Sequence, residues 1–100
     1  MHIVNRTKVE DCFDGSSVYV YELSDPWTEE CARRLSRMGH FQYFGDFPRP
    51  LFKLRTETGL FASGVVGCCD CRVVLPKTNK DRVQREWEEF LEKMEKGISS

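Results

Sequence analysis

Along this chain, six short stretches rich in β-branched and aromatic residues are separated by turn signals. Two longer stretches repeat their apolar positions at helical spacing. Residues 18–23, VYVYEL, have the composition of a strand. Residues 2–9 carry Ile3 and Val4 and are expected to pair with them as a hairpin. The turn lies within residues 12–17, where Asp14-Gly15-Ser16-Ser17 favours reversal. Residues 40–44, HFQYF, form a third strand. In residues 51–56, Phe52 and Leu54 alternate with Lys53 and Arg55, the pattern of a sheet with one wet face. Residues 60–66 and 72–75 flank a cysteine-rich turn and complete an antiparallel meander, with this hairpin at the centre of the sheet.

The first helical stretch opens at Ser24-Asp25-Pro26. Asp25 suits the N-cap, Pro26 suits the first helical position, and Glu29 and Glu30 complement the helix dipole. Trp27, Cys31, Leu35 and Met38 fall on one face, which makes Cys31 a small core residue. Arg33, Arg34 and Arg37 lie near the end, and Gly39 fits the residue after it. The second helix follows Pro76-Lys77-Thr78-Asn79, with Thr78 and Asp81 as an approximate capping box. Its stripe is Val83, Trp87, Leu91 and Met94, widened by Phe90, and Gly97 is expected to close it. The pairs Arg82–Glu86, Arg85–Glu89, Glu89–Lys93 and Glu92–Lys96 add about 0.2–0.5 kcal/mol each and describe a solvated face.

The order is therefore β-β-α-β-β-β-β-α. Each helix has one apolar stripe, so the economical arrangement is α+β: a mostly antiparallel β-sheet with two helices packed on one face. The 100 residues fit one domain spanning residues 1–100, without repeats or linker.

Composition narrows the function classes. Apolar and charged fractions of 40% and 31% are those of an ordinary soluble protein. Fifteen basic against sixteen acidic residues leave no general basic character, so a nucleic-acid partner is not expected. No apolar run approaches the roughly 20 residues that cross a bilayer, so no membrane association is expected. The first residues lack the basic and apolar regions of a signal peptide. The expected location is cytoplasmic, with reduced thiols, which also empties the Asn5-Arg6-Thr7 sequon of meaning. Five cysteines, two of them adjacent, do not suit a disulfide framework.

Two stretches carry candidate chemistry. Cys68-Cys69-Asp70-Cys71 contains a C-x-x-C and a C-x-C. If the turn centres on Cys69-Asp70, Cys68 faces Cys71 across the strands, close enough to bridge or share a metal. A turn centred on Cys68-Cys69 separates them. In a metal reading, Cys68, Cys69 and Cys71 supply part of a zinc site. Cys12, Cys31, His2 and His40 are then the scattered candidates to complete it. In a redox reading, Cys68 and Cys71 cycle between dithiol and disulfide, without the helix N-terminus that usually lowers a thiol pKa. In a structural reading, the cysteines only pack and turn. The second stretch, residues 40–52, sets Arg49 between two prolines among Phe41, Tyr43, Phe44, Phe47 and Phe52. Phe47, Arg49, Phe52 and Arg72 are its candidate binding residues, and Arg49, Arg55 and Arg72 are candidates to meet an anion. The histidines and acids assemble no nucleophile–base pair, and no catalytic residue is assigned.

The expected function is a small, non-catalytic accessory or interaction domain without a cofactor, acting through residues 40–52 or an exposed sheet face on a protein partner or by self-association as a homodimer. The alternative is a thiol-redox or zinc-binding module at the cysteine turn.

Overall fold

The computed structural model describes residues 2–99, with side chains through Lys93. Its elements are β1 (Ile3–Asp11), β2 (Ser17–Leu23), α1 (Glu29–Arg33), β3 (His40–Phe44), β4 (Leu51–Arg55), β5 (Phe61–Val65), β6 (Asp70–Leu75) and α2 (Lys80–Ser99). A single 3-10 turn, Arg34–Arg37, extends α1. The element order is the one expected from the sequence. The six strands form one antiparallel sheet in the order β1-β2-β6-β5-β4-β3. After the first hairpin the chain crosses the whole sheet through α1, and the meander β3-β4-β5-β6 returns to close on β2.

One cross-strand row explains how both helices load onto the same face. Register aligns Tyr43, Phe52, Gly64, Cys71 and Tyr21 across five neighbouring strands. Phe52 lies over Gly64, where a Cβ would come within 2.6 Å of its Cζ. Trp27, just before α1, meets the Phe52 ring edge-on at 4.8 Å. Trp87 of α2 meets Tyr21 edge-on at 6.5 Å. The next row on this face brings Phe41, Leu54, Ala62, Val73 and Tyr19 together. With Cys31, Ala32, Leu35, Val83 and Leu91 from the helices, these two rows make the core.

The first helix starts later than expected. Thr28, not Asp25, is the N-cap, its hydroxyl accepting from the Cys31 N–H at 3.1 Å. Trp27 cannot join the helix because its backbone bonds elsewhere: its N–H donates to the Cys68 carbonyl at 2.9 Å, and its carbonyl accepts from Gly67 at 2.8 Å. The expected stripe survives, with Trp27, Cys31 and Leu35 buried and Met38 packed beside them.

α2 has a second, polar stripe at i, i+4 spacing along β1 and β2. Lys80 Nζ donates to Ser17 Oγ at 2.6 Å, and Gln84 Nε2 to the Tyr21 hydroxyl at 3.0 Å. That hydroxyl donates to Glu88 at 2.8 Å, where the Arg6 guanidinium also binds. Burial, foremost, holds the Tyr21 hydroxyl well above an ordinary tyrosine pKa. His2 Nδ1 lies 3.2 Å from Glu92. Edge strand β1, mostly exposed, is thus held by side chains of α2 as well as by β2. Asn79, with φ 58°, precedes α2, and its carbonyl accepts from Val83 at 2.9 Å. Arg82–Glu86 closes at 3.2 Å. The helix continues through Gly97 to Ser99. The Met94 side chain and the Glu92–Lys96 pair lie outside the described residues.

No helix among the described residues is long and apolar enough to cross a membrane.

Gly64→Ala is expected to lower stability by about 1–3 kcal/mol through overpacking against Phe52, read as a lower denaturant midpoint with unchanged m. A midpoint equal to that of the parent protein would contradict the packing described.

Candidate functional site

The β5–β6 connection turns earlier than either expectation. Cys68 N–H donates to the Val65 carbonyl at 3.1 Å, closing a turn with Gly67 at φ 94°. A positive φ at the third turn residue favours glycine, so Gly67 places the reversal. Register then sets Gly64, not Cys68, opposite Cys71.

The cysteines consequently part company. Cys71 points into the core and is buried, and Cys69 is exposed. Cys68 is half-buried in the loop, its Sγ 3.9 Å from Arg49 Nη1. Burial, with a contribution from Asp70, pushes the Cys71 thiol up to about 12. Such a thiol stays protonated and is a poor nucleophile and metal ligand. Cys31 is buried under α1, and Cys12 lies in the β1–β2 connection. Among the described residues no group of three or more His, Cys, Asp or Glu is placed to hold a metal ion.

The cysteine loop ties the sheet to the β2–α1 connection. Besides the two Trp27 backbone bonds, the Trp27 indole N–H donates to the Asp70 carbonyl at 3.0 Å. Leu23 N–H donates to the Cys69 carbonyl at 2.6 Å, and Val66 N–H to the Pro50 carbonyl at 2.8 Å.

The four candidate binding residues also separate. Phe52 is fully buried on the helix face, stacked with Phe41 at 6.2 Å. Phe47 is 53% exposed in the β3–β4 connection, and Arg49 is exposed beside Cys68 in the same segment. Arg72 lies on the other side of the sheet, 3.8 Å from Glu10. Arg55 shares that side with Arg72, and Arg49 does not.

That other side is the exposed sheet face expected from the sequence, and strand order now gives its residues. Because both helices cover the Phe52 side, the alternate residues of every strand face away from them. One row there runs His40, Arg55, Phe61, Val74, Val18 and Glu10. The next runs Gln42, Lys53, Ser63, Arg72, Val20 and Thr7. Phe44, Leu51 and Val65 continue it at one end, with Glu22 opposite Asp70. Phe61, Val65, Val74 and Val20 are half-buried around the central pair Ser63 and Arg72 of this face, and the other charges stand further out.

The charges are divided. Lys53 and Arg55 lie over the Phe44 and Phe61 rings at 5.8 and 5.7 Å. Among the described residues neither has a carboxylate partner. On the β1-β2-β6 side stand Glu10, Glu22 and Asp70, with Arg72 as the counter-charge. Two shallow depressions mark the surface. One, about 280 Å³, is lined by His40, Gln42, Lys53, Arg55 and Phe61. The other, about 340 Å³, is lined by Leu51, Lys53, Ser63, Val65 and Arg72 among others. The available signal for this face was the Lys53/Arg55 alternation. Without strand order it read only as one wet face, with its other residues unassigned.

No protein family, curated protein or solved structure matches the chain.

Native alkylation mapped by mass spectrometry is expected to label Cys69 first and Cys71 only on unfolding; early labelling of Cys71 would contradict its burial. The raised Cys71 pKa also has a sign. A neutral buried thiol contributes stability below its ordinary value of 9.0, and that contribution is lost as pH rises from there toward about 12. Cys71→Ala is therefore expected to show a shallower fall in denaturation midpoint over that window than the parent protein.

Proposed function

We propose that this chain is a small, non-catalytic accessory or interaction domain of the cytoplasm, and that its working surface is the open face of the sheet. One observation carries the reading: both helices load onto one side, and the other keeps a patch of half-buried apolar residues around Ser63 and Arg72, with the remaining charges at its edges. Protein interfaces are built this way, with charges depleted at the core and concentrated at the edge. An antiparallel sheet can leave one face in water, but such a face is ordinarily polar throughout. Here Phe61, Val74, Val20 and Val65 surround the central Ser63 and Arg72. Five free thiols fit a reducing compartment, and the tightly bonded cysteine loop supports a structural role for residues 68–71.

The test is site-resolved photo-crosslinking in the producing cell, with a photoreactive residue at Ser63, in the centre of the open face, or at Glu89, exposed on α2. A discrete adduct is expected from Ser63, absent from Glu89 and lost when Lys53→Glu and Arg55→Glu are added. Equal adducts from both positions, or none from Ser63, would remove the open face as the working surface.

A further inference from the structure

We infer that the partner on the open face is a second copy of this chain, docked face to face about a two-fold axis that runs along the strands between β5 and β6. The inference rests on the reading of the open face as an interaction surface and names its occupant.

The charge division selects both the partner and the axis. A two-fold rotation along the strand direction exchanges the two halves of the sheet and preserves position along the strands. The β4-β3 half of one copy then lies over the β2-β1 half of the other. In one row, Phe61 meets Val74 of the second copy and His40 meets Glu10, while Arg55, over the already buried Val18, lies within one strand of Glu10. In the next, Lys53 lies over Val20 and diagonal to Glu22. Phe61 and Val74 thus cover each other, Arg72 stands over Ser63 of the second copy, and Lys53 and Arg55 of each copy reach the carboxylates of the other. A two-fold axis across the strands does the reverse, because it superimposes Lys53 and Arg55 of one copy on those of the other.

Three features of the chain agree with this arrangement. Glu22 and Asp70 stand directly opposite each other across β2 and β6, a like-charge pair that costs stability unless a cation approaches. Among the described residues Lys53 and Arg55 have no carboxylate partner, so docking breaks no described ion pair of theirs. The free edge β1 is irregular and charged: its register shifts around Val4 and Val9, and Arg6, Lys8, Glu10 and Asp11 line it. Bulges and charges of this kind discourage edge-to-edge pairing, which leaves the face for self-association. A polyanion such as single-stranded nucleic acid suits the surface less well, because Glu10, Glu22 and Asp70 occupy half of it.

Charge-swap sedimentation tests the inference on the full chain. One variant carries Lys53→Glu and Arg55→Glu, and the other Glu10→Lys and Glu22→Lys. The parent protein is expected to sediment as a dimer that weakens with added salt. Each variant alone is expected to dissociate at least about tenfold more readily, since a rim charge pair opposed by like charge costs several kcal/mol. An equimolar mixture restores opposite charge at both contacts and is expected to return to within about threefold of the parent. The rescue also shows that each variant is folded. A parent protein that stays monomeric at every concentration, variants that dimerise as tightly as the parent, or a mixture without rescue would overturn the inference. The mass of the Ser63 adduct separates the two levels. An adduct at twice the chain mass supports the second copy. An adduct with a different polypeptide from a monomeric protein overturns the second copy and leaves the open-face reading standing.

Discussion

Trp27 is gripped from two directions. Its ring packs edge-on against Phe52, which fits only because Gly64 has no side chain. Its backbone N–H, carbonyl and indole N–H are all taken by the segment Gly67 to Asp70. Burying a tryptophan is worth about 3–5 kcal/mol by truncation, and each hydrogen bond adds about 1 kcal/mol. Packing and the three hydrogen bonds are thus of comparable size at this point, and the hydrogen bonds also supply direction. They hold the crossover on the side of the sheet that Phe52 occupies and leave α1 to begin at Thr28.

The rest of the architecture follows from that side being chosen. The same row that presents Phe52 to Trp27 presents Tyr21 to Trp87, so α2 lands beside α1 rather than opposite it. Tyr21 then sits where its hydroxyl links Gln84 and Glu88 to the sheet, and Glu88 draws in Arg6 from the edge strand. With both helices on one face, Phe61, Val20 and Val74 have no covering layer of their own chain. The proposed function and its second-copy partner are consequences of this one-sidedness.

Much of this was legible in the residues, and for identifiable reasons. Element order could be read because turn signals such as Asp14-Gly15 and Glu57-Thr58-Gly59 separate the strands, and the stripes through Trp27 and Trp87 mark the core sides of two helices. Strand order was not legible, because nothing local in the β2–α1 segment says that it spans the whole sheet. The cysteine register was misjudged in both of its expected forms. The signal was Gly67, whose positive φ reverses the chain before the cysteines rather than among them. The start of α1 was missed for a related reason: Asp25-Pro26 is a good local cap, and a tertiary contact at Trp27 overrides it. Phe52 and Arg72 were grouped as binding residues, yet alternation along β4 and β6, once aligned, puts them on opposite sides of the sheet.

Native-state hydrogen exchange tests the central grip most directly. If residues 67–70 and Trp27 form one tethered unit, the amides of Trp27, Gly67 and Leu23 exchange as slowly as that of Val73 in β6, although two of the three lie outside any strand or helix. Exchange of Trp27 and Gly67 at the rate of the exposed Phe47 segment, with Val73 still protected, would contradict the account.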